Sequence, residues 1–281
     1  MNADDFGLTA GVNRAIEEAG RAGAISSATL MANAGAFEEA VRLVGSLPGL
    51  GIGCHIVLID GEPLSENVPS LTNGSRKFRS SLKDFAVAAM RGRLAADDIQ
   101  WEAEAQIRKI QSAGVAVTHV DTHKHTHMFP QVLRPVLRAA KACGVNTVRN
   151  PFEPFRAWPM SAIAARPALW TRAVQVGLLQ KFAAEFRESV FSEGMSTTDG
   201  VAAVIATGGL NQEVLSATIA AIPEGTWELV CHPGYMDADL AATGTRLLQS
   251  RRIELDALLS SETKQILANR GISLISYREL R

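Results

Sequence analysis

The chain has 281 residues, 47% of them hydrophobic, and a formal net charge of −1 at pH 7. This length and composition suffice for one large α/β domain or two small ones. The near-neutral charge gives no general attraction to nucleic acid or to acidic membrane surfaces. Because no basic stripe with interleaved aromatic residues is present either, we expect no nucleic-acid partner.

In chain order, segments with helical spacing alternate with short apolar runs. The sequence predicts a helix over 12–22, a strand over 25–32, a helix over 37–44, a strand over 51–59, helices over 81–92 and 97–114, and a strand over 115–121. A helix over 130–144, a strand over 146–150, a helix over 169–186, a strand over 201–206 and a helix over 212–221 follow. The last predicted elements are a strand over 228–231, a helix over 246–269 and a strand over 272–275.

This alternation indicates a parallel sheet covered by helices. About seven βα units predict an irregular (β/α) TIM-like barrel, with residues 1–281 as a single domain. A long loop is expected near 60–80 and an apolar helical insertion near 152–190. An open doubly wound sheet is the alternative, because it also gathers the carboxyl ends of its strands.

The cysteines Cys54, Cys143 and Cys231 lie far apart, each inside or beside an apolar stretch. Such a pattern is typical of reduced, buried thiols and not of a disulfide framework. The sequence has no signal peptide and no run of about 18 apolar residues. We therefore expect a cytoplasmic protein without a transmembrane helix.

The six histidines occupy three places, each at the carboxyl end of a predicted strand. Four lie in the run from His119 to His127, one is His55, and one is His232, which opens a Pro-Gly turn. Barrel enzymes build their sites at these strand ends. Taken alone, His55 would more often be a core histidine, and the run from His119 to His127 could form a solvated loop.

Within the long run, alternate residues would face one way if the strand continued. Five polar groups on one buried face would make a poor core, so the chain is predicted to leave the strand near Asp121. One or two of these histidines are then expected to bind a metal ion, and the others to contact substrate or to orient ligands.

The chain opens on the paired carboxylates Asp4 and Asp5. Adjacent side chains diverge, so one carboxylate can bind a cation while the other stays free as a base. Because residues 1–3 alone precede the pair, the first strand is expected to be unusually short or trimmed relative to the native chain.

Five segments, in their order along the chain, resemble the YdjC-like carbohydrate deacetylases: NADDFG, GCHIVL, HVDTHKHTHMFP, VRNPFEP and ELVCHPGY. The chain is most similar to the members associated with hopanoid biosynthesis (HpnK-type), through ADDFGLTAGVNRAIEEAGRAG and ALWTRAVQVGLLQ. The resemblance implies a divalent metal ion held by Asp5, His55 and His123, with Asp4 as general base and His232 as general acid.

Four further residues are candidates for contacting the sugar or for orienting the ligands: His125, His127, Arg149 and Tyr235. Arg149 could hold Asp4, contact the substrate or lie at the surface. Two imidazoles and one carboxylate suit Zn²⁺ or another transition ion. Mg²⁺ prefers oxygen ligands but is the ion often named for the family, so both ions are considered.

The sequence thus predicts a metal-dependent hydrolase that removes an acetyl group from an N-acetylated amino sugar. A hopanoid-type glycolipid and a chitooligosaccharide are the substrates considered. Another metal-dependent barrel hydrolase, such as a phosphoesterase or amidohydrolase, and a non-catalytic sugar-binding relative are the alternatives. We expect a homodimer. The apolar insertion is predicted to pack on the barrel or on a partner subunit, and the alternative is that it binds the lipid part of an acetylated glycolipid. Peripheral membrane contact is also considered.

Overall fold

The computed structural model describes residues 1–72 and 74–280. Within these ranges, six parallel strands form one sheet in the order β4-β3-β2-β1-β6-β5. The strands are β1 (Asn2–Phe6), β2 (Ser27–Leu30), β3 (Gly51–Ile56), β4 (Val117–Thr122), β5 (Gly200–Ala202) and β6 (Trp227–Cys231).

The opening strand β1 lies at the centre of this sheet. All five of its residues are buried. Ala3 pairs with Ala28 of β2 on one side and with Cys231 of β6 on the other. Backbone pairing on both sides therefore anchors the two aspartates of β1, although the strand is short.

Helices cover the sheet and connect its strands. They are α1 (Ala10–Arg21), α2 (Phe37–Val44), α3 (Pro69–Thr72), α4 (Leu82–Met90), α5 (Ala96–Ser112), α6 (Pro130–Ala142), α7 (Met160–Ala165), α8 (Pro167–Leu179), α9 (Ala183–Ser192), α10 (Gln212–Ala221), α11 (Ala238–Ala242), α12 (Gln249–Leu259) and α13 (Ser261–Asn269). In α1, Thr9 caps the amino end by accepting from the Val12 N–H, and Val12, Ala15, Ile16 and Ala19 form the buried face. One hydrophobic core extends from Met1 to Leu258, as expected for a single α/β domain.

The predicted seven-stranded TIM-like barrel is corrected to a curled, six-stranded half-barrel in the described part of the chain. The segment predicted as a strand over 146–150 pairs through isolated bridges, Val148 with Val120 of β4 and Thr147 with Ser196. The Val201 N–H of β5 also donates to the Phe152 carbonyl. The two edge strands, β4 and β5, thus each contact the irregular segment 147–152. This segment pairs at single residues only and does not form a strand.

Two other predictions near the carboxyl end are corrected. Residues 272–275 form an irregular segment before the 3-10 turn at Tyr277–Glu279, and not a strand. The helix predicted over 246–269 is divided into α12 and α13, because Ser260 leaves the helical conformation and caps α13 through the Glu262 N–H. The remaining predicted elements are present with displaced ends, and the helix over 169–186 is divided between α8 and α9.

The predicted loop near 60–80 contains the short helix α3 and is held by buried side chains of α5. Glu102 accepts from the backbone N–H groups of Leu64 and Ser65. Asp98 accepts from that of Ser70. The insertion predicted near 152–190 contains α7, α8 and most of α9. Across the described residues, we find no helix with the length and apolar character to cross a membrane.

Candidate metal and catalytic site

Three side chains converge at the carboxyl ends of β1, β3 and β4, and we call Asp5, His55 and His123 the Asp-His-His cluster. Asp5 Oδ1 lies 3.5 Å from His55 Nε2 and 3.4 Å from His123 Nδ1. The two ring nitrogens lie 3.2 Å apart. One ligand atom from each residue can therefore face a common point. Two imidazoles and a carboxylate at this spacing form a donor set for a divalent cation.

The orientation of Asp5 is set by its backbone and by Arg251. Its φ of 68° lies in the left-handed region, which is uncommon for a residue other than glycine. Arg251 Nη2 donates to Oδ2 at 2.5 Å. Oδ1 is buried and has no hydrogen-bond partner within the described chain. Burial alone would raise the pKa of Asp5, but the Arg251 guanidinium and the cluster histidines lower it well below its usual range.

Asp121 holds His55 in place. The two residues are directly opposite each other in β3 and β4, and His55 Nδ1 lies 2.8 Å from Asp121 Oδ1. When Nδ1 donates to this carboxylate, Nε2 carries the lone pair that faces the rest of the cluster. Burial alone would lower the pKa of His55, but the carboxylates of Asp121 and Asp4 raise it to about 9. A cation at Nε2 requires the neutral ring.

His123 begins a 3-10 turn, His123–Met128, that follows β4 directly. Lys124 and His125 have φ values of 55° and 53°, so two successive residues adopt the left-handed conformation. This bend turns the chain out of the strand close to the predicted point at Asp121. Lys124 also forms an ion pair with Asp60, which ties the turn to the long loop.

Asp4 lies next to the cluster and is held by four donors. Arg149 Nη2 and Nη1 donate to its two carboxylate oxygens at 2.6 and 2.9 Å. The side chains of Asn2 and Thr29 donate at 2.9 and 3.1 Å. Burial alone would raise the pKa of Asp4, but the Arg149 guanidinium outweighs it and lowers the pKa far below its usual range. Asp4 is therefore ionised at any working pH.

Arg149 is fully buried and bridges three carboxylates. Besides Asp4, it lies 2.5 Å from Asp121 Oδ2 and 2.6 Å from Glu228 Oε1. Tyr277 in turn donates to Glu228. Of the three positions left open by the sequence, the structure places Arg149 against Asp4, away from the surface.

His232 follows β6 and lies next to Asp4. Its Nε2 lies 3.9 Å from Asp4 Oδ2, and its side chain is 12% exposed. The backbone N–H of His232 donates to Glu254 Oε2 at 2.7 Å. His232 is thus a partly accessible imidazole within reach of the same space as the Asp4 carboxylate.

His127 and His125 differ in what they can contact. His127 is fully buried, with Nδ1 2.7 Å from Thr122 Oγ1 and Nε2 3.1 Å from the Arg149 carbonyl. Burial lowers the pKa of His127 to about 4, so the ring is neutral and supports the turn and the Arg149 backbone. His125 Nδ1 is buried and lacks a partner among the described residues. Burial, assisted by Arg149, lowers the pKa of His125 to about 3.

Two other residues noted in the sequence lie outside the cluster. Tyr235, predicted to contact substrate, donates through its hydroxyl to Glu18 of α1. His119, the first histidine of the long run, is fully buried and stacks on Tyr277 with ring centroids 3.7 Å apart. Its ring occupies the space beside Gly53, where an added Cβ would lie 2.5 Å from it.

Buried charges are concentrated around the cluster. Among the residues that the structure describes, five carboxylates and two guanidinium groups there are almost completely buried: Asp4, Asp5, Asp121, Glu228, Glu254, Arg149 and Arg251. Buried charge without compensation is costly. A divalent cation at the Asp-His-His cluster would supply positive charge, and the unpartnered Asp5 Oδ1 would become its ligand. The residues present therefore fit a metal ion.

The structure adds Asp121, Glu228, Arg251 and Glu254 to the residues predicted for the site. Asp121 and Glu228 lie inside recognised sequence motifs, and Asp121 could have been identified from the pairing of β3 with β4. Arg251 and Glu254 had weaker signals, because polar residues three apart on a helix are typical of an exposed face.

The chain is similar to known proteins over nearly its whole length. The sequence model of the family described as YdjC-like protein matches residues 1–269. A carbohydrate deacetylase from Brevibacillus brevis is 33% identical over 280 residues, covering 100% of this chain and 98% of the relative. A chitooligosaccharide deacetylase from Serratia marcescens is 31% identical over 281 residues, with 100% and 98% covered.

A solved structure supports the fold. The crystal structure of an Enterococcus faecalis V583 protein, proposed to act in cellobiose-phosphate cleavage, superposes with a TM-score of 0.77. The alignment covers 98% of this chain and 95% of that protein at 23% sequence identity. At this identity the likeness concerns the architecture alone.

Proposed function

Because the chain belongs to the YdjC-like protein family, we propose that it hydrolyses the acetamide of an N-acetylated amino sugar with one divalent metal ion. The observation that carries the proposal is the position of the Asp-His-His cluster beside Asp4 and His232. Full-length relatives that are named carbohydrate or chitooligosaccharide deacetylases support sugar deacetylation. The more specific resemblance to hopanoid-associated members is part of the proposal.

Asp5, His55 and His123 would hold the ion. When bound, a divalent cation polarises the acetamide carbonyl and lowers the pKa of water. The mixed nitrogen and oxygen donors favour Zn²⁺ over Mg²⁺, because Mg²⁺ prefers oxygen ligands. Asp121, by accepting from His55 Nδ1, would leave His55 Nε2 free to hold the ion.

Asp4 acts as the general base in this proposal. Its carboxylate takes a proton from the water that attacks the acetamide carbon. Because Arg149 keeps Asp4 ionised and weakly basic, a cation held by the Asp-His-His cluster would assist the transfer by acidifying the water. The bidentate contact with Arg149 fixes the carboxylate plane, which favours transfer at a defined position.

His232 acts as the general acid. As the carbon–nitrogen bond breaks, its protonated ring donates a proton to the leaving amine, so that acetate and the free amino sugar are released. The ring is partly exposed and lies 3.9 Å from Asp4 Oδ2, which supports contact with a substrate. The buried rings of His127 and His119 lack this access.

The arrangement of charges argues against a second metal ion. A second set of potential ligands consists of Asp4, His55 and Asp121. Arg149 Nη1 lies 2.9 Å from Asp4 Oδ2 and 2.5 Å from Asp121 Oδ2, so a guanidinium already occupies the space between these carboxylates. A single ion favours the deacetylase over a two-metal phosphoesterase or amidohydrolase. The anchored strand β1 favours an intact enzyme over a non-catalytic sugar-binding relative.

Two substrates are proposed. The name of the Serratia relative supports a chitooligosaccharide. A lipid-linked sugar, such as a hopanoid-type glycolipid, is supported by Trp170, Val174 and Leu178 of α8, which are 54%, 63% and 68% exposed. Equal turnover of a lipid-linked N-acetylhexosamine and a free chitooligosaccharide would exclude recognition of the lipid part by this protein. The homodimer and the peripheral membrane contact stay predictions.

The proposed function is tested by acetate release from N-acetylglucosamine oligomers. The protein is stripped with a chelator, and Zn²⁺ or Mg²⁺ is then added back. The expected result is loss of activity on stripping and its recovery with a divalent ion. Release of phosphate from phosphate esters without acetate release would favour the phosphoesterase, and failure to bind either ion would favour the non-catalytic relative.

A further inference from the structure

Helix α12 contacts the candidate site at two points that the proposed mechanism does not use. Arg251 and Glu254 lie three residues apart, so both side chains project from one face of the helix. Both are almost completely buried, at 1% exposure each. One contacts the aspartate of the Asp-His-His cluster, and the other contacts the backbone of the proposed acid.

Arg251 determines which oxygen of Asp5 faces the cluster. Its Nη2 donates to Asp5 Oδ2, while its Nε donates to the Leu247 carbonyl at 3.0 Å and steadies the guanidinium. Oδ1 is left for the imidazoles, which lie 3.4 and 3.5 Å away. Without Arg251, the carboxylate could rotate and present either oxygen or both.

Glu254 connects the residue after β6 to the loop after β5. Its Oε2 accepts from the His232 N–H at 2.7 Å, and its Oε1 accepts from the Gly208 N–H at 3.3 Å. Oε2 also lies 3.8 Å from His232 Nδ1. The Glu254 carboxylate thus fixes the position of the His232 backbone, and with it the point from which the imidazole side chain extends.

The turn after His232 also contacts α12. The Gly234 N–H donates to the Arg251 carbonyl at 3.2 Å. A Cβ at Gly234 would lie 2.8 Å from Arg251 Cδ, so this position has room for glycine alone unless the arginine moves. The Pro233-Gly234 turn and the Arg251 side chain therefore fit together as one packed unit.

We propose that Arg251 and Glu254 are positioning residues through which α12 aligns the metal ligand Asp5 with the acid His232. This inference rests on the proposed function and assigns it two further residues. Arg251 acts on a metal ligand and Glu254 acts on the proposed acid, so the two roles are tested by different measurements. Arg251 governs affinity for the metal ion, and Glu254 governs turnover once metal and substrate are bound.

The test compares four variants with the wild-type protein: Arg251→Met, Arg251→Lys, Glu254→Ala and Glu254→Gln. Binding of Zn²⁺ alone is measured by titration calorimetry, and kcat and KM by acetate release. Residues that orient metal ligands typically contribute about 10- to 100-fold to affinity or activity. Arg251→Met should weaken Zn²⁺ binding by this factor, and Arg251→Lys, which keeps the positive charge, should recover at least half of the loss on a logarithmic scale.

Glu254→Ala should lower kcat about tenfold or more with KM and Zn²⁺ affinity unchanged. Glu254→Gln keeps an acceptor for the His232 N–H and should restore most of this kcat. Arg134→Met, which removes a 66% exposed arginine side chain on α6, is the matched control and should change nothing. If Arg251→Met does not fold, the lysine variant and the two Glu254 variants still decide the result.

Unchanged Zn²⁺ affinity in folded Arg251→Met, or unchanged kcat in Glu254→Ala, would overturn the positioning roles while wild-type activity upholds the proposed function. A Glu254→Gln variant as slow as Glu254→Ala would also overturn positioning through the backbone. If the wild-type protein itself neither binds Zn²⁺ nor releases acetate, the proposed function fails instead.

Discussion

The Arg149 guanidinium donates to both carboxylate oxygens of Asp4, at 2.6 and 2.9 Å, in a fully buried position. The same guanidinium contacts Asp121 and Glu228. It therefore balances three acidic side chains while it fixes the one proposed as the base. Stability and the proposed catalysis would therefore depend on the same guanidinium group.

Replacing Arg149 should destabilise the fold strongly. Arg149→Met leaves three buried carboxylates without their partner, and removing one member of a buried ion pair costs about 3–5 kcal/mol. The free energy of unfolding is measured by urea titration. Arg108→Met, which removes an exposed arginine from its pair with Glu104, is the control and should leave the midpoint unchanged. An Arg149→Met protein as stable as the control would contradict the network.

Replacing Asp4 should separate catalysis from metal binding. Asp4→Asn keeps the size of the side chain but cannot accept the proton, so kcat for acetate release should fall about 10²- to 10⁴-fold. The bound metal, measured by atomic absorption after dialysis, should stay close to the wild-type ratio because Asp4 is outside the Asp-His-His cluster. Retention of more than a tenth of the wild-type rate would exclude Asp4 as the base.

Replacing His232 should depend on the leaving group. A general acid matters most when the departing amine is strongly basic, so His232→Ala should slow deacetylation of a sugar amide about 10²-fold or more. The loss should be much smaller for an acetylated aromatic amine, whose nitrogen needs less protonation to depart. Equal losses with both kinds of substrate would show that His232 is not the acid.

Glu153, in the VRNPFEP segment, should make stability depend on pH. Its carboxylate accepts from the N–H groups of Ala203 and Ile205, but burial outweighs these bonds and raises its pKa from 4.5 to about 7. Between these two values the folded state binds more protons than the unfolded state. The contribution of Glu153 is therefore fully present below pH 4.5 and is lost as the pH rises towards 7.

The corresponding measurement compares the wild-type protein with Glu153→Gln, which cannot titrate. From pH 4.5 to 7, the stability of the wild type relative to the variant should fall by roughly 3 kcal/mol, and then stay constant above pH 7. The difference between the two proteins removes the contribution of all other titrating groups. A difference that is flat or rises over this range would show that Glu153 is ionised when folded.

Much of the site could be predicted because its residues follow the ends of strands. His55 and His232 end or follow short apolar runs, Asp4 and Asp5 belong to a short first strand, and parallel strands bring their carboxyl ends together. His123 was harder to separate from its neighbours, because its orientation depends on two left-handed residues that no periodicity reveals. The number of strands was overestimated because residues 146–150 have the composition of a strand but pair through isolated bridges.

The contribution of α12 could not be predicted from local patterns. Arg251 is 246 residues from Asp5 in the sequence, and only the folded chain, in which α12 contacts Asp5 of β1 and His232 after β6, brings them together. A buried arginine on a helix looks like an exposed one in the sequence. The same is true of Glu254, whose partner is the backbone of His232 and not a side chain.

The central claim is that one divalent cation binds at the Asp-His-His cluster. Anomalous diffraction at the zinc edge, from crystals grown with Zn²⁺, measures this most directly. We predict a single strong peak about 2.0–2.2 Å from Asp5 Oδ1, His55 Nε2 and His123 Nδ1. The peak should be lost in His123→Ala and kept in the neighbouring Lys124→Ala. A zinc peak that lies elsewhere, or no peak among these three side chains, would contradict the claim.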